Sequence, residues 1–207
     1  MNKTLIAVLS LLVAVPAMAT APANLIVNGS FEDAVQDDGT WSIHRRIDGW
    51  TTVAGSGIEV RNNVAGTAFD GVNFVELDGH AGQGNTRMQQ KVQTQAGQLY
   101  ELRFAYSARP GVAGRATNGI RVAWNGVTLG TYRGTGSDQH DWMEISNTVI
   151  GTGGLDVLSF LAIGANDGLG GSLDKVSLTA AVPEPGTYAL MLAGLAAVGF
   201  IARRRSA

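Results

Sequence analysis

Cysteine is absent from all 207 residues, so neither a disulfide nor thiolate chemistry is available to this chain. Histidine is scarce. His44, His80 and His140 stand far apart, and no H-E-x-x-H or other close pair marks a zinc site. No G-x-S-x-G elbow presents a serine nucleophile. No Asp-x-Asp-x-Asp-Gly calcium loop occurs, and Ala165-Asn166-Asp167-Gly168 reads as a turn. Helical periodicity is missing from residues 20–181. These absences point away from a metalloenzyme, a serine hydrolase and a helical domain.

What is present begins with two unusual ends. The N-terminus, MNKTLIAVLSLLVAVPAMAT, has a positive start at Lys3, an apolar run over residues 5–15, and a small-x-small site at Ala17-Met18-Ala19. This is the pattern of a secretory signal peptide cleaved after Ala19, with Ala23 as the fallback. The run is too short for a comfortable span, which takes ~20 residues. The C-terminus, VPEPGTYALMLAGLAAVGFIARRRSA, carries no charge from 187 to 202. That stretch of 16 residues lies just under the ~17 usually needed to cross a membrane. Arg203, Arg204 and Arg205 can snorkel, and by the positive-inside rule would stay cytoplasmic, so both ends give one topology. A core helix would need a polar face; the only polar positions here are few and small (Thr187, Gly194, Gly199). Pro185 disfavours helix at Glu184 and makes the approach extended.

The body between the ends, residues 20–181, is acidic. Seventeen acids in the chain less Glu184 leave sixteen, and fifteen bases less Lys3 and the three tail arginines leave eleven, a net of about −5. That balance argues against nucleic acid as a partner. The 28 glycines of the chain sit between short apolar–polar alternations, the signature of many strands and tight turns. In QLYELRFAYSA, Tyr100, Leu102, Phe104 and Tyr106 share one face. In NGIRVAWNG, Ile120, Val122 and Trp124 do the same, and Asn125-Gly126 predicts a type I′ hairpin into VTLGTY. Further strands are expected at 24–28, 41–44, 57–62, 74–79, 87–94, 141–150, 155–164 and 172–180. The expectation is one all-β domain, an antiparallel jelly-roll sandwich, flanked by a signal peptide (1–19) and a transmembrane helix at about 187–202.

The order of Pro183-Glu184-Pro185, apolar run and arginine cluster over 182–207 resembles the PEP-CTERM sorting signal. The resemblance implies a Gram-negative bacterium that makes extracellular polysaccharide. It also implies an exosortase, a membrane protease that processes the tail, as a partner. The protein would be tethered to the inner membrane before processing, then move to the cell surface or matrix. The body has its own resemblance. NLIVNGSFED, GVNFVELDGHAG, QKVQTQAGQLYELRFAYSARPG, NGIRVAWNG and GGSLDKVSL, in that order, resemble the galactose-binding-like β-sandwich of carbohydrate-binding modules. That implies a jelly roll, a surface for extracellular polysaccharide, and one structural calcium. By motif the calcium ligands are Glu32 and Asp174, with Asp33 as an extra ligand and Lys175 standing where a second acid is common. Without the metal, both acids read as solvated edge charges.

Sugar binding needs an aromatic platform and planar polar groups. Trp50, Tyr106, Arg109, Trp124 and Asn125 are the candidate ligand residues. Trp124 alternates with Ile120 and Val122 and so reads first as core packing, Trp50 reads equally as packing under its loop, and Arg109-Pro110-Gly111 as a turn. Glu76 and Asp78 share a strand face but lie with Phe74 beside a turn, which favours structure over glycoside chemistry. The reading is an exported, non-catalytic binding protein, not an enzyme. The alternatives are a matrix protein that adheres to other proteins, or a glycosidase.

Overall fold

In the computed structural model, residues 22–112, 116–181 and 185–205 are described. The expected signal peptide, Pro183 and Glu184 lie outside them. Twelve strands follow in chain order: β1 (Thr40–His44), β2 (Arg46–Ile47), β3 (Trp50–Ala54), β4 (Ile58–Asn62), β5 (Asn73–Glu76) and β6 (Arg87–Gln93) come first. Then come β7 (Leu99–Ser107), β8 (Gly119–Trp124), β9 (Val127–Tyr132), β10 (Met143–Ile150), β11 (Leu155–Ile163) and β12 (Ser172–Ala180). They form two six-stranded antiparallel sheets, ordered β1-β4-β5-β12-β7-β10 and β2-β3-β6-β11-β8-β9. The all-β sandwich is as expected.

Period-two alternation explains the core. Inward positions of the first sheet supply Val60, Val75, Leu102, Phe104, Tyr106, Leu173 and Leu178; those of the second supply Met88, Val92, Val122, Leu158 and Phe160. Edge-to-face rings join the two layers, with Phe104 and Phe160 centroids 5.2 Å apart at 78°. The expected hairpin is present: Asn125 (φ 49°) and Gly126 (φ 81°) are both left-handed, and Trp124 pairs with Val127.

Two local expectations change. Residues 24–28 do not form a strand; they make one isolated bridge, Asn24 to Thr179. The segment still lies against β12 beyond the point where β5 stops pairing, with Leu25 N–H donating to the Leu178 carbonyl at 2.8 Å and Val176 N–H to the Gly29 carbonyl at 2.9 Å. Side chains take the Ile26 N–H and both Val27 backbone groups. Gln90 accepts from Val27 N–H (2.8 Å) and donates to the Val27 carbonyl (2.9 Å), a clamp that replaces a ladder. Conversely, the short pair β2 and β3 around Gly49 (φ 74°) was not expected. Here a Cβ on Gly49 would stand 2.7 Å from the Val27 carbonyl and 2.8 Å from Gln90, so glycine lets the turn press onto the clamp.

The tail forms α1 (Pro185–Arg205), which starts on proline, a residue suited to the first helical position. Met191, Leu192, Leu195, Val198 and Ile201 are all exposed on it. Among the described residues, no helix is long and apolar enough to cross a membrane.

Candidate functional site

The two expected calcium ligands meet at one turn. Glu32 accepts from the N–H groups of Val72 (2.9 Å) and Asn73 (2.8 Å) through one oxygen. Asp174 accepts from Phe69 (2.8 Å) and Asp70 (2.9 Å) through one oxygen and from Lys175 (2.6 Å) through the other. Asp174 gains this reach from a register shift in β12 between Asp174 and Ser177, where Lys175 is left-handed (φ 47°). Burial pushes the Asp174 carboxyl up to about 7 against the opposing backbone hydrogen bonds, and the Asp70 charge adds to the rise. Asp70 itself accepts from the Ser30 hydroxyl at 2.6 Å. Lys175, next in sequence, leans instead over the Phe69 ring, 5.0 Å from its centroid. The candidate ligand atoms are all oxygen, and among the described residues the fully buried Asp174 carboxylate bonds to no cationic side chain, which is chemistry a calcium ion suits. Among the described residues no group of three or more His, Asp or Glu is arranged to hold a metal, so carbonyls and water would have to complete the shell. Asp33 offers its backbone N–H to Asn28 at 3.2 Å.

The expected ligand residues are dispersed rather than gathered. Trp50 is fully buried between Phe31 and Phe160, its indole donating to the Asn28 carbonyl at 3.1 Å. Tyr106 is fully buried and donates its hydroxyl to the Asn118 carbonyl. Trp124 is buried and donates to the Ile150 carbonyl at 3.1 Å. None of these three rings presents a face to solvent. Asn125 sits in the hairpin turn, bonded to Asp156 (2.8 Å) and Val157 N–H (2.8 Å).

Arg109 belongs to an ionic cluster that sequence reasoning did not assemble. Glu59 and Glu76 lie directly opposite each other on β4 and β5, both pointing away from the main core. Arg61 pairs with Glu59 and stands 3.3 Å from Glu76; Arg109 reaches Glu76 at 2.6 Å, and Gly170 N–H adds a bond at 2.9 Å. Burial pushes Glu59 up to about 7 and Glu76 upward, while Arg61 opposes both shifts. Glu76 and Asp78 are sealed from solvent, at 0% and 1% exposure, which leaves no access for glycoside acid–base work. His140 forms part of the cover over this face. It donates from Nδ1 to the Thr67 carbonyl (2.8 Å) and accepts from the Ser172 hydroxyl (2.9 Å) at Nε2, packed edge-on against Phe74. Trp142 packs beside it and bonds the same Thr67 carbonyl at 3.1 Å. The outer face of the first sheet around β4 and β5 is therefore a second, polar core, covered by Thr67, His140 and Trp142, while Trp41 on β1 and Arg103, Glu144, Ser146 and Thr148 on β7 and β10 remain exposed.

The outer face of the second sheet is open. Arg46, Arg87, Lys91 and Arg121 stand exposed on it, with half-buried Thr51, Gln89, Ser159 and Leu161 between them. A shallow groove of about 120 Å³ runs along Arg87, Arg121, Ala123, Thr128, Ser159 and Leu161.

Comparison with known proteins bears on both parts of the chain. Residues 181–205 match the PEP-CTERM protein-sorting motif. The body shares its fold with a family 16 carbohydrate-binding module (19% identity, TM-score 0.50, covering 75% of this chain and 99% of that one). It also shares it with part of an arabinose-bound GH51 α-L-arabinofuranosidase (13% identity, TM-score 0.55, 77% of this chain and 27% of that one). In sequence it is 29% identical over 159 residues to the multifunctional-autoprocessing repeats-in-toxin protein of Vibrio cholerae, of which it spans 3% against 75% of its own length. The fold is thus a β-sandwich shared with a carbohydrate-binding module and with part of an arabinofuranosidase. The chain carries a PEP-CTERM sorting signal at its C-terminus.

Proposed function

We propose that this protein is an exported, non-catalytic module that binds extracellular polysaccharide and is delivered to the cell surface or matrix by an exosortase. The observation that carries the reading is the joining of two parts in one chain: a sorting motif at 181–205 and a sandwich of carbohydrate-binding-module type before it. The burial of Glu59, Glu76 and Asp78 supports a non-catalytic role. Before processing, α1 tethers the chain to the inner membrane, its short apolar run assisted by the snorkelling arginines 203–205. Mass spectrometry of the surface-located protein tests the sorting half: loss of the residues after the Pro-Glu-Pro motif supports it, and an intact Ala207 end overturns it. A glycan array probed with calcium present tests the binding half; silence across neutral and acidic glycans contradicts it.

The module also holds one structural calcium between Glu32 and Asp174 across the Phe69–Asn73 turn. The ion would supply the positive charge that the buried Asp174 lacks. Calcium is expected to raise the melting temperature and chelator to lower it; identical melting in both removes the ion from the account.

A further inference from the structure

We propose that the open face of the second sheet docks a polysaccharide that carries carboxylates along its chain. The inference rests on the polysaccharide reading above, and adds the charge of the ligand and the face that takes it. The starting point is segregation of charge. The body has sixteen acids to eleven bases, yet four bases, Arg46, Arg87, Lys91 and Arg121, collect on outward positions of this one sheet. The only acid on its strands is Asp156, which faces inward, is 1% exposed, and is bonded to Thr94, Asn125 and Thr152. Among the described residues none of the four cations has an ion-pair partner, whereas Arg61, Arg103, Arg109 and Lys175 on the other sheet or at its edge all do. Unpaired cations on an otherwise acidic molecule leave a positive field with no internal counterpart.

Register sets the spacing. Arg87 and Arg121 are both opposite Leu161 of β11, so their Cα atoms lie two strand widths apart, about 10 Å. Arg46 is opposite Thr51, and Thr51 is opposite Gln89, which puts it two strands from β6 on the far side. Lys91 is four residues from Arg87 on the same strand, about 13 Å along it. The result is an array of cations rather than a single pocket, which suits a repeating polymer better than a lone small anion. Guanidinium groups take carboxylates through paired hydrogen bonds. Gln89, Ser159, Thr51 and Thr128 stand among them with amide and hydroxyl groups for sugar hydroxyls. No aromatic side chain occupies an outward position on these strands; Trp50 and Trp124 both turn inward. Binding therefore leans on charge and weakens as salt rises. The outer face of the opposite sheet is covered over β4 and β5, and where it is exposed, on β7 and β10, its cations are already paired, Arg103 with Glu101 and Lys175 with Glu144.

The test uses the full chain in mild detergent with calcium, in affinity gels containing polygalacturonate, the same polymer fully methyl-esterified, or a neutral glucan. Polygalacturonate is expected to retard the protein most, with retardation lost in 1 M salt. The double substitution Arg87→Gln with Arg121→Gln, both at exposed positions, is expected to weaken binding about tenfold, as two surface charge contacts allow. Near-native melting of the variant confirms that it is folded. Equal retardation by the esterified polymer, insensitive to the double variant, overturns the acidic-ligand inference while leaving the polysaccharide reading in place. No retardation by any polymer overturns both. Stronger binding to a single-stranded oligonucleotide than to polygalacturonate also overturns it, since the face would then be a general polyanion trap.

Discussion

Single residues carry most of the pH behaviour. Folding raises Glu59 from 4.5 and Asp174 from 3.8, each to about 7. A raised folded value means the protein binds protons more tightly than the unfolded chain. The stability these groups add is fully present below their ordinary values and is lost as pH rises through about 7. Calcium-free protein should therefore melt at progressively lower temperature from pH 5 to pH 8, and Glu59→Gln should flatten part of that slope. A calorimetric series with a level profile would sink this assignment. Removing Arg61 leaves Glu59 without its ion-pair partner opposite Glu76, which keeps Arg109; loss of one member of a buried pair costs about 3–5 kcal/mol. Arg61→Ala should show that loss at pH 8 in urea unfolding and a smaller one at pH 5, where the acids can take protons. None of this was legible in the sequence. Glu76 was read beside Asp78, its neighbour two residues on, whereas its partners Glu59, Arg61 and Arg109 come from other strands or turns. Likewise the period-two rule says which residues share a face, not whether that face is inside. Trp50, Tyr106 and Trp124 have the alternation of either role, and packing put all three in the core.

At the scale of elements, the strand pattern was readable wherever apolar and polar residues alternate over five or more positions, as in β6, β7, β8 and β12. It failed in two places for physical reasons. The run NLIVN has the apolar content of a strand, but Asn24 and Gln90 side chains hold its backbone, so no ladder forms. The pair β2 and β3 is too short for periodicity to register; it depends on the Gly49 turn and on Trp50 filling the core. The clamp makes a sharp prediction. Gln90→Ala leaves the Val27 N–H and carbonyl without partners beside a packed turn, a loss of about 1–3 kcal/mol. Urea midpoints should fall accordingly, and limited proteolysis should open first near residue 27. An unchanged midpoint would mean that the segment is held by β12 alone.

For the whole molecule, the order of parts is itself the argument. The last strand ends at Ala180 and the Pro-Glu-Pro triplet begins at Pro183, so the proposed processing would take place close to a folded domain. The tail's address was written in local sequence and was readable there. The charged face was only half readable. Arg87 and Lys91 share a face by period alone, but their union with Arg121 and Arg46 required the sheet order β2-β3-β6-β11-β8-β9. The tail and the two faces of the sandwich suit a module that meets its ligand outside the cell. The most direct measurement is retention of the full chain, with calcium, by extracellular polysaccharide purified from the producing cells. The account predicts saturable retention that salt weakens; passage of the protein at the same rate as through a polysaccharide-free matrix would contradict it.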